Sequence, residues 1–574
     1  MKRTFSLVLS VIILITTLTA GFTAFAEDSG YDTSFAVASD LHYNLPREEL
    51  EGPIDHEIYW YANRRAAMED ESGFIIDEFL RQAAENDDVQ FVLVPGDLAD
   101  NGRTIHQEHY DVAAKFKAFE EATGKQIYVT PGNHDVGAAD IDTKTADFKE
   151  IYHEFGFAEA LYVDEESASY TADLGEKYRL ISLDSCDPSK STEDGMSIKK
   201  VMWVCKEADK AYEDGRYPIL MMHHNLLDHM PLQRILSRNF IIRFHLTTAD
   251  LFANHGIKLV FTGHEHCSDV SSYTSTSGKT IYDFANTSLT MYPLQYRMVY
   301  MNDNNIKYEA KTIDSIDLDA LTSVVNGYTD EHLALMEAGL NDYAKGFLKA
   351  GVEYRLELSL SREKLGIDED AFYADLVFTA VDGLLEILNM PLYGENSVQE
   401  LAKEYNIDIP DSEYETPWDL ATELVAYHYA GEEPYDLYST EVTILLRTVS
   451  LILFDDLSTV NDEIFLGAAN DILAKLGLDF EICKELTKLA TDTLGPVTAG
   501  EYFLLAIAAP LLYEFGYDSD GVNDNNGAFR GYGADEGGID KAAAAAMDVL
   551  LKIKLYFSFF IEIIGKMPLF NISL

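Results

Sequence analysis

Thirteen of the fifteen histidines in this chain of 574 residues lie before residue 270, and several stand beside acidic or amide residues at short spacings. Asp40-Leu41-His42 is one such group. Gly96-Asp97-Leu98-Ala99-Asp100 is a second and Gly132-Asn133-His134-Asp135 a third. His223-His224-Asn225 and Gly263-His264-Glu265-His266 complete the set. Carboxylate oxygen, amide oxygen and imidazole nitrogen are the donors that hold divalent transition metals. Imidazole and carboxylate are also the usual carriers of protons in catalysis. One isolated D-x-H or H-x-H says little. Five such groups in succession point to a metal centre.

Each group follows an apolar run of strand character. The runs are SFAVAS (34–39), FVLVP (91–95), QIYVT (126–130), YPILMM (217–222) and IKLVF (257–261). YRLISL (178–183) and TIYDFA (280–285) are two more of the same kind. Amphipathic stretches at 73–86 and 111–122 lie between them. The alternation predicts an α/β domain, in which ligands gather at the carboxyl ends of the strands. Residues i and i+2 of D-x-H and H-x-H project to one side of an extended chain. Gly96, Gly132 and Gly263 are read as sharp turns that let the groups approach one point.

After about residue 315 the pattern becomes helical, over 330–350, 368–388, 417–430, 438–455, 480–493, 497–514 and 540–564. Thr416-Pro417-Trp418-Asp419 reads as a helix start, with threonine as N-cap and proline in the first turn. No Pro- or Ser-rich linker divides the halves, so they are expected to pack together. Residues 518–527, DSDGVNDNNG, have the composition of a Ca²⁺ loop but lack the EF-hand spacing and its closing glutamate. They are read as a polar loop. The apolar tail 549–567 is interrupted by Lys552, Lys554 and Glu562. It is read as a docked terminal helix rather than a membrane span, with a membrane-surface helix as the alternative.

With 98 acidic and 43 basic residues the net charge is −55, which argues against binding nucleic acid or an anionic membrane by charge alone. Lys2 and Arg3, the apolar run after them and Ala24-Phe25-Ala26 read as a bacterial-type signal peptide over residues 1–26, with a retained membrane anchor as the alternative. The expectation is a secreted or cell-envelope protein with no transmembrane span in the mature chain. Four cysteines (Cys186, Cys205, Cys267, Cys483) are too few for a disulfide framework. Cys186 and Cys205 could pair, and Cys267 is read as a small buried residue rather than a ligand.

The five groups, in this order over residues 40–266, resemble the calcineurin-like metallophosphoesterases: D-x-H, G-D-x-x-D, G-N-H-[DE], a histidine after a later strand, and G-H-x-H. The resemblance covers the first half only. It implies a metallophosphoesterase-type β-sandwich flanked by helices over 27–315, followed by a mostly helical C-terminal domain of unknown role over 316–574. It implies two divalent or trivalent metal ions, manganese, iron or zinc. Asp40, His42 and His266 would bind one, Asn133, His223 and His264 the other, and Asp97 would bridge them. A hydroxide on the metals would attack the phosphoester. His134 would act as general acid or phosphate contact, Asp100 would orient it, and His224 would stand behind the ligands or merely beside them.

The pattern also departs from parts of that family. Its protein serine/threonine phosphatases carry arginine after the second aspartate of G-D-x-x-D and have G-N-H-E, where this chain has Asn101 and Asp135. The bacterial phosphodiesterase branch, with G-N-H-D, is closer. That branch often has H-H-P where this chain has His223-His224-Asn225, which touches local loop shape. The stretch 225–246 is read either as a lid, with Arg234, Arg238 or Arg243 reaching a phosphate, or as an ordinary amphipathic segment. The leading reading is thus a secreted phosphohydrolase of small-molecule or polymer phosphoesters, diesters ahead of monoesters. A phosphomonoesterase or nucleotidase is the alternative within enzymes. A surface protein whose helical half holds a partner is the alternative outside them.

Overall fold

The computed structural model describes residues 30–46, 66–190, 192–230, 233, 237–325, 327–359, 374–435, 439–454, 522–534 and 541–565. The signal-peptide reading of 1–26, the helices read at 480–493 and 497–514, Arg234 and Cys483 lie outside the described residues.

Among the described residues thirteen strands form two mixed sheets. In the first the order is β13-β12-β11-β1-β2-β3, with β1 (Thr33–Val37), β2 (Phe91–Val94) and β3 (Gln126–Val129) parallel at one end. β11 (Gln295–Met301) and β12 (Asn305–Thr312) add antiparallel beside β1. The second runs β4-β5-β6-β7-β8-β10-β9. Its parallel centre is β6 (Tyr178–Leu183), β7 (Tyr217–Met222), β8 (Leu259–His266) and β10 (Thr280–Thr287). The remaining strands are β4 (Tyr162–Val163), β5 (Tyr170–Leu174), β9 (Asp269–Thr274) and β13 (Asn526–Arg530).

The apolar runs become strands because both of their faces are buried. Leu180, Ile219, Met221, Leu259 and Phe261 share one core with Phe35, Val37 and Val129 of the other sheet. Their neighbours Ile181, Leu183, Leu220, Met222 and Val260 point the opposite way into a second core. This is the two-residue period of a strand with apolar layers on each side.

Numbering only helices of ten residues or more, α1 (Ser72–Glu85) and α2 (His106–Thr123) contribute Ile75, Phe79, Val112 and Phe116 to the first core. α3 (Ile198–Glu213) and α4 (His245–Asn254) contribute Val201, Val204, Leu251 and Phe252 to the second. In the helical half, α5 (Leu340–Ser359), α6 (Ala374–Leu388), α7 (Pro417–Ala430) and α8 (Thr440–Phe454) follow. α7 begins as the sequence indicates: the Thr416 hydroxyl accepts the Asp419 N–H at 3.0 Å with Pro417 in the first turn. Phe378, Ile387, Leu420, Leu424, Ile444 and Leu451 form a small core of their own.

The two halves do pack together. α5 enters the first core through Leu340, Tyr343, Phe347 and Leu348. The last helix, α9 (Lys541–Gly565), lays Leu551, Leu555 and Phe559 on the core under α3 and α4, while Leu550, Ile553 and Phe557 face outward. It is therefore docked along one face, and no helix among the described residues is long and apolar enough to cross a membrane. The polar-loop reading of 518–527 needs correction at its end. Residues 526–530 are β13, an edge strand on β12, with Phe529 stacked on Tyr282 at 3.8 Å between ring centroids. One aromatic side chain with a cross-sheet partner outweighs the polar composition around it.

Candidate metal centre

The carboxyl ends of β1, β2, β3, β7 and β8 meet at one edge of the sandwich. Backbone bonds lace the first two loops together: Asp40 N–H to Gly96 O at 3.1 Å and His42 N–H to Asp97 O at 3.0 Å. The Asp135 carboxylate accepts from the N–H groups of Leu98, Ala99 and Gly132, so the second and third motifs are tied by one buried side chain. The first and fifth are joined across the two sheets by the His264 N–H, which donates to both Asp40 oxygens at 3.0 and 3.1 Å.

The convergence is achieved differently from the extended-chain reading. Asp40, His42, Asp97, His264 and His266 all have positive φ, between 39° and 70°. That left-handed backbone is disfavoured for residues with a Cβ and persists where surrounding bonds over-determine it. Of the three glycines, only Gly96 (φ 99°) is itself sharply turned. Gly132 and Gly263 serve close approach: a Cβ on either would lie about 2 Å from a carboxylate oxygen of Asp97 or Asp40.

Two clusters result. In the first, Asp40, His42, Asp97 and His266 each offer an atom to one point. His42 Nε2 lies 3.1 Å from His266 Nε2, 3.8 Å from Asp97 Oδ2 and 4.0 Å from Asp40 Oδ1, and His266 Nε2 is 3.2 Å from Asp40 Oδ1. In the second, His223 Nε2 lies 3.0 Å from Asn133 Oδ1, 3.1 Å from His264 Nδ1 and 3.3 Å from Asp97 Oδ2. Asp97 belongs to both, and all seven side chains named for metal binding are brought together.

The outer nitrogens set the protonation of the inner ones. His42 Nδ1–H donates to the Asp100 carboxylate at 2.9 Å and His223 Nδ1–H to the Pro95 carbonyl at 3.0 Å. Such bonds fix a tautomer and aim the other nitrogen inward, as partners behind metal ligands do. Burial, and then the neighbouring imidazoles, keep His264 well below the usual histidine range, so that it is neutral. Burial likewise lowers His42. For His223 burial works the same way, but the Asp97 carboxylate outweighs it and pushes the imidazole up to about 9. Buried carboxylates and inward lone pairs so close together repel one another unless positive charge lies among them. The donor set fits transition-metal cations, which would take the place of the His223 proton.

His134 stands beside the first cluster, its side chain 30% exposed. Its Nδ1–H donates to the backbone carbonyl of Asp100 at 2.7 Å. The sequence reading has Asp100 orient His134; the atom that does so is the carbonyl oxygen, because the carboxylate is engaged by His42. His42, Asp100 and His134 also form a third close group, but each of these Nδ1 atoms is used in a hydrogen bond. The His224 ring lies 4.6 Å from the His264 ring, but both of its nitrogens are engaged outside the clusters, by Ser185 Oγ at 2.9 Å and the Thr192 carbonyl at 3.1 Å. Burial, then the charge on His223, lowers it to about 3.

Asn225 stands where the related branch often has proline. Its amide nitrogen donates to Thr262 Oγ1 and the Gly263 carbonyl, and its backbone N–H to the Phe240 carbonyl. It ties the β7 loop both to β8 and to the 225–246 stretch. In that stretch Arg243 is engaged by Asp194 and the Met196 carbonyl, away from the clusters. Sequence reasoning missed Phe240, whose half-buried ring lies 4.4 Å from the His264 ring. It also missed Asn44, which links the His42 carbonyl to Asn101. Neither carries a spacing signal. Cys186, Cys205 and Cys267 are buried free thiols, and among the described residues Cys267 is in none of the metal-competent groups.

Residues 33–268 match the family model of the calcineurin-like phosphoesterases. Among solved structures, a dimetal phosphatase from Danio rerio is similar at 12% identity and a TM-score of 0.36, over 49% of this chain and 96% of its own. The NAD nucleotidase of Haemophilus influenzae is similar at 12% identity and a TM-score of 0.27, over 63% of this chain and 61% of its own. A 5'-nucleotidase from Candida albicans follows at 11% and 0.27, over 56% and 58%. No curated protein matches the chain at a significant level.

Proposed function

We propose, on the premise that residues 33–268 are a calcineurin-like phosphoesterase domain, that this chain hydrolyses phosphoesters at a dinuclear metal centre, with diesters preferred. The observation that carries the reading is the sharing of Asp97 by two clusters of inward-facing nitrogen and oxygen donors. Asp40, His42 and His266 would hold one ion, Asn133, His223 and His264 the other, and Asp97 both. Two ions of manganese, iron or zinc would supply Lewis acidity toward the phosphoryl oxygens and acidify a water.

The chain's own residues account for the rest. Asp40 and Asp97 hold the motif loops as well as facing the metals: their carboxylates accept the N–H groups of His264 and His134. The Asp100 carbonyl holds the His134 ring by Nδ1, so Nε2 is the atom free to meet substrate. In hydrolysis water oxygen becomes bonded to phosphorus and its released proton passes to solvent, the ester P–O bond breaks with its electron pair on the departing oxygen, and His134 Nε2–H gives that oxygen a proton. Diester preference is supported at position 101. Asn101 brings no positive charge, and its amide is engaged by Asn44, Asp100 and Glu108. A diester carries one negative charge and needs less neutralisation than a dianionic monoester. Export is part of the proposal, supported by Lys2, Arg3, the apolar run and Ala24-Phe25-Ala26. Sequencing the N-terminus of the protein recovered from its producing cell tests it, with Glu27 expected first.

The test of activity uses purified protein with added Mn²⁺, assayed on bis-p-nitrophenyl phosphate and p-nitrophenyl phosphate, with Asp97→Ala as control. Faster diester cleavage, abolished in the control together with bound metal, supports the reading. A monoester preference moves it to a phosphatase or nucleotidase. Turnover of neither substrate by metal-loaded protein sinks it.

A further inference from the structure

The two histidines of the Gly263–His266 motif share a left-handed backbone but are held from different directions. His264 is secured from within the first half, through its N–H on Asp40. His266 is paired with Thr287 of β10 within the first half, and the chain just after it is secured in addition from the helical half. The Ser268 N–H donates to the Tyr429 carbonyl, one of the last of α7, at 3.0 Å. Helix ends leave such carbonyls unpaired, so the bond serves both partners. The Ser268 hydroxyl donates to Asn525 Oδ1 at 3.0 Å, and Asn525 Nδ2 donates to the Ala430 carbonyl at 2.7 Å. The Val270 N–H then donates to Asp524 Oδ1 at 2.8 Å. Segments far apart in the chain thus close on the turn that follows His266.

Gly431 makes the seat possible. It ends α7 with φ 63°, and a Cβ built on it would lie 2.2 Å from the Ser268 carbonyl oxygen and 2.7 Å from Asp524 Cβ. The Ser268 oxygen is backbone and cannot step aside without moving the turn. His428, one turn earlier on α7, is buried and interacts electrostatically with Glu265, the residue between the two histidines. Glu265 is also held by Gln233 Nε2 at 3.0 Å.

We infer that Gly431 is a positioning residue for the metal centre: by letting the end of α7 seat on Ser268, it holds His266 in the cluster with Asp40, His42 and Asp97. The helical half is thereby part of the machinery of the first. The inference rests on the dinuclear reading above and is asymmetric, because only His266 is held this way.

The test is calorimetric titration of Mn²⁺ into chelator-stripped protein, with the thermal midpoint of the metal-free protein measured alongside. Wild type is expected to take two equivalents. Gly431→Ala should bind one about 10–100-fold more weakly, the scale for losing support behind a metal ligand, with the other changed less than about threefold. Gly431→Asn separates helix capping from close approach. Asparagine tolerates the left-handed backbone but still brings a Cβ, so it should fail like alanine. Rescue by asparagine would reduce Gly431 to a helix cap and overturn the inference. So would unchanged titration in both variants, or equal weakening of both equivalents in step with the metal-free midpoint. Should the Gly431 variants not fold, Ser268→Ala and Asn525→Ala decide by the same asymmetry. A wild type that binds no Mn²⁺ would instead refute the dinuclear reading itself, and this inference with it.

Discussion

Replacing His134 by alanine should separate substrates by their leaving groups. The ring is fixed by one bond, Nδ1–H to the Asp100 carbonyl at 2.7 Å, and the side chain is 30% exposed. Losing that bond costs about 1 kcal/mol of stability, so the variant should fold and bind metal as the parent does. On the proposed mechanism it loses the proton donor at Nε2. Positioned proton transfer contributes roughly 10²–10⁴-fold, or about 3–5 kcal/mol of barrier. That loss falls only where the departing oxygen needs a proton. Nitrophenolate leaves as a stable anion, whereas an alkoxide does not. The assay is kcat/KM for wild type and His134→Ala on bis-p-nitrophenyl phosphate and on an alkyl phosphodiester followed by product analysis. The alkyl substrate should lose roughly 10²–10⁴-fold and the nitrophenyl substrate less than about tenfold. Equal losses on both, at unchanged metal content, would show that His134 contacts the phosphoryl group and is not its proton donor.

Two further predictions concern the scaffold. Asp135→Ala leaves the Leu98, Ala99 and Gly132 N–H groups unpaired in a buried place. At about 1–3 kcal/mol for each group left unsatisfied, unfolding by denaturant should show a loss of at least about 3 kcal/mol; a loss below about 1 kcal/mol would mean that this carboxylate does not join the two motifs. Glu71, buried and bonded by the Tyr328 hydroxyl, is pushed by burial from its ordinary 4.5 up to about 7. An acid raised in the folded state binds its proton there after the unfolded chain has released it, so stability falls as pH rises from about 4.5 to about 7. The fall is at most about 3 kcal/mol. Glu71→Gln, which keeps an acceptor for Tyr328, should match wild type near pH 4 and exceed it at pH 8. A stability difference that does not grow with pH would contradict the burial account.

The strands, several helices and the residue types at the strand ends were legible because each depends on a local pattern. Runs such as YPILMM and IKLVF show apolar character suited to two buried faces, and Thr416-Pro417 shows helix-start chemistry. Other features had no local mark. Asn526–Arg530 became a strand through the Tyr282 ring across the sheet, against its polar surroundings. The D-x-H and H-x-H spacings suggested extended backbone, yet Asp40, His42, His264 and His266 are left-handed, a conformation enforced by bonds from other loops.

By itself, the sequence determined which side chains could bind metal and that they follow one another at strand ends, since residue identity and two-residue periodicity are properties of a short stretch. Only the tertiary structure decided which atoms meet. The Asp100 carbonyl rather than its carboxylate holds His134. Asn225 engages β8, and the end of α7 seats on Ser268 from the other half of the chain. Those outcomes depend on pairings between residues tens to hundreds of positions apart. Packing of the two sheets and the helical half selects them, and no local pattern carries that information.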